Sequence, residues 1–215
     1  MKNDLQNLIG ANETILYEGK PDKKCFIAES IFNKMLPIAI AWGIIDFGLI
    51  GLSLSSEDAE EISFFLIPFF ALHLMPVWFY LAGVISSFLR YKNTYYIITD
   101  HAIYVSGGAF SKNFKTKPFA EMSHIDLHRG IFDQLFGVGD VIATSNQFPD
   151  SASLRSRSFL SREDDAANIE ISNIADYSEV FHLVKKLQTD IFSDTMYPND
   201  MRPPENHGYN TKYRG

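Results

Sequence analysis

Residues 93–112 read NTYYIITDHAIYVSGGAFSK. Aromatic and β-branched side chains crowd Tyr95–Ile98 and Ile103–Val105, with a polar break at Thr99-Asp100-His101 between them and glycine at 107 and 108. Such residues fit a pleated surface, and short polar or glycine stops bound strands, so the stretch predicts a β-hairpin. Directly upstream lies Ile62–Leu89, 28 residues without a formal charge. A sheet suited to water therefore starts a few residues after a segment suited to hydrocarbon.

Working upstream, Met35–Leu54 is a second apolar run of 20 residues with a single charge, Asp46. About 20 apolar residues cross a hydrocarbon core about 30 Å thick. Ile62–Leu89 would be about 42 Å long as a helix, so it must tilt, kink or protrude, and Pro68 and Pro76 offer kinks. The spacing predicts a two-helix transmembrane hairpin over 31–90, with spans at about 35–54 and 62–89 joined by an external loop, SSEDAEE, at 55–61. Lys20, Lys23, Lys24 and Lys34 flank one side of the hairpin and Arg90 and Lys92 the other, whereas the loop holds no Lys or Arg. Positive charge marks the cytoplasmic side, so both termini are expected there, in a multi-pass protein of the cell membrane. The first 30 residues form a polar cytoplasmic segment and show no cleavable signal pattern.

Downstream, residues 91–191 alternate short strand-like runs with turns: AFSKNFKTKPF, EMSHIDLHRG, an apolar turn IFDQLFGVGD, VIATSNQF, a polar stretch at 151–168 expected to hold a strand and a loop, then IEISNI. Regular short strands point to an all-β sandwich or barrel. Tyr177, Val180, Phe181, Val184, Leu187 and Ile191 then recur at helical spacing, with Asp176 and Glu179 placed as a capping box. One amphipathic helix after about seven strands can close an open end of a barrel. Residues 192–215 lack periodicity, hold three prolines, and are expected to be disordered.

In this order NETILYEGKP, an apolar hairpin, YYIITDHAIYVSGG and SHIDLHRGIFDQLFGVGDVIATS resemble the membrane-anchored bacterial pleckstrin-homology-like (PH-like) family. The matching positions are Glu13, Tyr96, Thr99, Asp100, Gly108, Ile125, Gln134, Phe136, Gly137 and Gly139. Asn12 stands where the family commonly has glycine, and Ala102 where it often has arginine, so an anion contact at that turn is not carried over. The resemblance implies an α+β membrane protein: the two-helix hairpin, then a PH-like seven-stranded β-barrel or sandwich capped by one C-terminal helix. It implies no reaction.

Charge and composition narrow the function. A formal net charge of −7 argues against a nucleic-acid binder, and the single cysteine, Cys25, excludes a disulfide framework or a Cys-rich zinc site. No phosphate loop, nucleophile elbow or zinc-protease motif occurs, so neither catalysis nor a cofactor is expected. Asp46 and His73 are ionisable groups inside an apolar segment, where such groups usually find a partner. Both lie at comparable depth in an antiparallel hairpin, as an intramembrane polar pair: a clasp, an oligomer contact or a proton relay. His124, Asp126 and His128 share a strand face and could ligate a divalent ion, but water-facing strand parity explains them equally and no metal is expected. Arg90, Lys92, Lys112, Lys115 and Lys117 form a weak lipid-binding candidate. These observations favour a non-enzymatic, membrane-anchored binding or scaffold module facing the cytoplasm, with the bilayer and a protein partner or second copy as partners. The alternatives are a sensor of anionic lipid and a small transport or proton-handling component using Asp46 and His73.

Overall fold

The computed structural model describes residues 2–55, 68–145 and 168–196. In chain order these form α1 (Lys2–Gln6), β1 (Ile15–Gly19), α2 (Lys23–Ile31), α3 (Leu36–Leu54), a helical segment at 68–73, and α4 (Met75–Asn93). Then come β2 (Tyr95–Thr99), β3 (Ala102–Gly107), β4 (Asn113–Pro118), a 3-10 turn at Phe119–Glu121, β5 (His124–His128), α5 (Ile131–Phe136), β6 (Gly139–Thr144), β7 (Asn168–Ile174) and α6 (Tyr177–Met196).

The predicted hairpin is β2–β3, registered with Tyr96 opposite Val105 and Ile98 opposite Ile103. It forms the middle of a four-stranded antiparallel sheet, β1-β2-β3-β4, and a second sheet runs β5-β6-β7. Tyr96, Ile98 and Ile103 face Val141, Ala143, Ile169 and Ile171 of the second sheet, with Val180, Val184, Leu187 and Ile191 of α6 packed against them. The other face of β2–β3 is also covered, because Ile97, Ala102 and Tyr104 pack on Leu5 of α1. Burial on both faces explains why YYIIT reads as a continuous apolar run instead of an alternating one.

Four expectations change. The two sheets do not close into a barrel among the described residues. One of the seven strands among the described residues, β1, lies before the apolar segment, with Tyr17 paired to Ile98 and Gly19 to Tyr96. The sequence of β1, ILYEG, is too short for its period to announce a strand; the open edge of β2 makes it one. The apolar turn IFDQLF is a helix, α5, ended by Gly137 in the left-handed region (φ 71), the usual residue there because it has no Cβ. The C-terminal helix runs on to Met196 instead of stopping at 191. The expected loop at 56–61, the start of the second span, the strand within 151–167 and the tail beyond 196 lie outside the described residues.

Among the described residues one helix is long and apolar enough to cross a membrane, over Leu36–Ser53, and only 11% of it is buried. The two-helix hairpin expected from the sequence is thus represented by one such helix. α4 does not qualify, since its C-terminal part carries Ser86, Ser87, Arg90 and Lys92. The chain is also interrupted before α4, at Leu74, with Pro76 in the first turn of the new helix. Proline restarts a helix readily because the first N–H groups need no partner. α4 packs on both α3 and α2: Gly43 faces Val77, Ser30 Oγ donates to Ser87 Oγ at 2.7 Å, and Tyr80 OH donates to the Ile31 carbonyl at 2.9 Å.

Candidate functional site

Three residues of the resemblance, Glu13, Thr99 and Asp100, form with Tyr104 a latch holding β1. The Thr99 hydroxyl donates to Glu13 Oε2 at 2.7 Å and accepts from the Ala102 N–H at 3.0 Å. Tyr104 OH donates to Glu13 Oε1 at 2.9 Å. Burial and the neighbouring Glu13 carboxylate push the Tyr104 phenol up to about 12. Asp100 Oδ1 accepts from the Thr14 N–H at 2.9 Å, and the Asp100 N–H donates to the Thr14 carbonyl at 3.1 Å. The Thr-Asp turn therefore fastens the chain entering β1 to the chain leaving β2.

A second polar cluster joins the domain to the helices. Asp133, fully buried on α5, accepts from Gly130 N–H through Oδ2 at 2.7 Å. Its Oδ1 accepts from Asn173 Nδ2 at 3.2 Å and from the Cys25 thiol at 3.4 Å. Asn173 takes a left-handed backbone (φ 54), which asparagine tolerates better than most residues. Its N–H donates to Asp140 Oδ1 at 2.7 Å, its Nδ2 also reaches Glu29, and its carbonyl accepts from the Asp22 N–H at 2.6 Å. Asp22 caps α2 through a 2.9 Å bond from the Cys25 N–H. A buried carboxylate is tolerable only when hydrogen bonds replace its water, and Asp133 receives three.

Two donor groups here have the proximity a cation would need: Cys25, Glu29 and Asp133, and His128, Asp133 and Asp140, each set within 4.8 Å. Burial first, then Glu29 and Asp133, push the Cys25 thiol up to about 12, so it is a protonated donor to Asp133. Hydrogen bonding within the protein accounts for this cluster. The triad His124, Asp126 and His128 is not brought together in either group, and His128 instead faces Asp140 at 3.6 Å. Ile125 packs against the core, whereas Leu127 is 40% exposed, so the expected core parity of β5 holds only in part.

In the helices, His73 Nδ1 lies 2.8 Å from Asp46 Oδ1, linking the 68–73 segment to α3. The imidazole lies between Trp42 and Phe69, with ring centroids at 5.2 and 5.3 Å, and Trp42 Nε1 donates to the His73 carbonyl at 2.8 Å. Asp46 is fully buried, and its Oδ2 has no hydrogen-bond partner among the described residues.

The five basic residues are engaged separately. Arg90 and Lys92 lie in the last turn of α4. Lys112 pairs with Asp4 at 2.9 Å, and Lys115 is exposed on β4. Lys117 is buried, donates to Ser145 Oγ at 2.7 Å, and is pushed down from the usual lysine range by its burial. Sequence reasoning missed the Cys25–Asp133–Asn173 cluster, because Cys25 lies over a hundred positions from the other two and those are 40 apart. The one local signal was Asp133, three residues after Gly130, where a side chain can reach back to cap a helix.

Comparison with known families matches residues 47–188, from within α3 to within α6, to the family described as Bacterial PH domain. No curated protein and no solved structure matches the chain. The match spans about two thirds of the sequence and ends on the helix that packs against β5 and β6; on these grounds the chain belongs to the bacterial PH domain family.

Proposed function

We propose that this protein is a non-enzymatic binding and scaffold module, its PH-like domain held at the cytoplasmic face of the membrane by a helical hairpin. One observation carries the reading: β1 and β2, hydrogen-bonded neighbours, flank an apolar segment whose α3 is mostly exposed among the described residues. A core helix of a soluble domain would be covered. A single crossing would leave β1 and β2 on opposite sides of the bilayer, so their pairing calls for an even number of crossings. The return crossing falls to the second apolar run, whose described part is the 68–73 segment and the first turns of α4. The last turns of α4 pack on α2 and need not enter lipid, which removes the excess length of Ile62–Leu89. The Lys/Arg distribution supports a cytoplasmic domain.

β4 is the outer strand of its sheet among the described residues, and Asn113–Thr116 are exposed along it. An exposed strand edge binds an extended peptide, or a second copy, through main-chain hydrogen bonds. The test is alkaline carbonate washing of membranes, followed by cross-linking of the full chain and its Thr116→Pro variant. Retention in the membrane pellet, with the proline variant losing its cross-linked partner, is expected. Release into the wash would overturn the anchor, and an unchanged partner in Thr116→Pro would overturn the edge. Asp46 Oδ2, buried without a partner among the described residues, favours proton handling as the second reading.

A further inference from the structure

Outside α3 and α4, two strongly exposed apolar side chains share one element, α5, while Phe110, at 89%, lies in the turn between β3 and β4. Ile131 is 84% exposed and Leu135 74%, yet neither belongs to the packed core. In a helix, residues 131, 135, 132 and 136 span one arc of about 140° at 100° per residue, and Asp133 falls outside it. Asp133 is fixed inward by its three hydrogen bonds, so the arc is held outward.

The neighbours of this arc identify what covers it. Phe132 stacks on Phe32 with centroids 5.6 Å apart at 24°. Phe32 caps α2, is 60% exposed, and precedes the first residue of α3, Leu36, by four positions. Met35 and Ile38 continue the exposed apolar surface into α3. Phe32 thus links α5, through its stack on Phe132, to the chain that enters α3. Lys34 lies exposed between Phe32 and Met35, and Gln134 is the exposed polar residue of α5. Exposed apolar side chains beside cationic ones suit the boundary between headgroups and acyl chains.

We propose that α5, through Ile131 and Leu135 with Phe32 beside them, seats in the headgroup–acyl boundary of the bilayer that takes α3, giving the domain a second, interfacial contact and a fixed tilt. This rests on the anchored reading given above. The contact would hold the domain against the membrane.

The experiment uses the full chain in phosphatidylcholine–phosphatidylglycerol vesicles, labelled with an environment-sensitive nitrobenzoxadiazole group at Leu135→Cys, Ile131→Cys, Gln134→Cys or Ile44→Cys. Native Cys25 is buried and protonated, and stays unlabelled. Lipids carrying a nitroxide near the headgroup are the quencher for α5, and lipids carrying it deep in the chain are the quencher for Ile44. Blue-shifted emission with at least about twofold stronger headgroup-lipid quenching at 135 and 131 than at 134 is the expected result. Water-like emission at 135 and 131, with Ile44 quenched, would overturn the α5 contact and leave the anchor intact. Blue-shifted emission without lipid quenching would overturn it in favour of a second copy or protein as the cover. An unquenched Ile44 would overturn the anchor itself and the proposal with it.

Discussion

Asn173 and Cys25 show how single side chains tie distant parts of the chain together. Asn173 sits at the end of β7 with a left-handed backbone, and its amide reaches Cys25, Glu29 and Asp133. The thiol it meets is pushed up from 9.0 to about 12, chiefly by burial. Tyr17, also mainly by burial, is pushed up from 10.0 to about 12. A group whose folded-state value is raised holds its proton in the folded protein while the unfolded chain loses it. Its contribution is full below the unfolded value and disappears as pH rises through the folded one. Stability should therefore be level below pH of about 9 and fall steadily towards 12, with Cys25 responsible for the earliest part. Thermal melts of the detergent-solubilised chain across this range check it: Cys25→Ala should delay the onset to about 10, where tyrosines of the unfolded chain ionise. An onset that does not move would show that the thiol is not coupled to folding.

At the scale of elements, the short edge strand β1 depends on its latch. Its burial is shallow, with Ile15 and Leu16 exposed at 39% and 44%, so packing alone holds it weakly. Glu13 supplies the rest by accepting from Thr99 and Tyr104. Glu13→Ala leaves two buried hydroxyls without their acceptor and should cost about 1–3 kcal/mol. Amide exchange should speed up across Ile15–Gly19 while α6 stays protected, because β1 can open without disturbing the main core. Equal acceleration in α6 would mean that the latch stabilises the whole domain. The elements most legible in the sequence were those with a long or repeated period. The stripe of α6 is seen buried at Val180, Val184, Leu187 and Ile191, and the β2–β3 hairpin occupies the predicted positions. α5 was read as a turn because six residues give too little periodicity to separate a helical turn from a loop, and Asp133, which caps its start, is held by the distant Cys25 and Asn173.

Across the whole molecule, the Asp46–His73 contact joins α3 to the returning chain within apolar surroundings. Asp46→Leu removes the clasp, and hydrogen bonds between membrane helices contribute about 0.5–2 kcal/mol. A scaffold module should lose that much stability in detergent melts yet keep its cross-linked partner. A proton-handling protein should instead lose proton flux in vesicles even with Asp46→Asn, which keeps the shape of the side chain. Composition along the chain was enough to determine that an apolar segment interrupts an otherwise water-soluble sequence, that strands follow it, and that an amphipathic helix closes the series. Those features come from local period and charge, which neighbouring residues carry by themselves. Only the tertiary structure decided that β1 joins the sheet from across the apolar segment and that Cys25, Asp133 and Asn173 meet. Each depends on pairing between residues about eighty to a hundred and fifty positions apart. Long-range pairing is set by which edges and buried donors remain unsatisfied once the local elements have formed, and no local pattern records that.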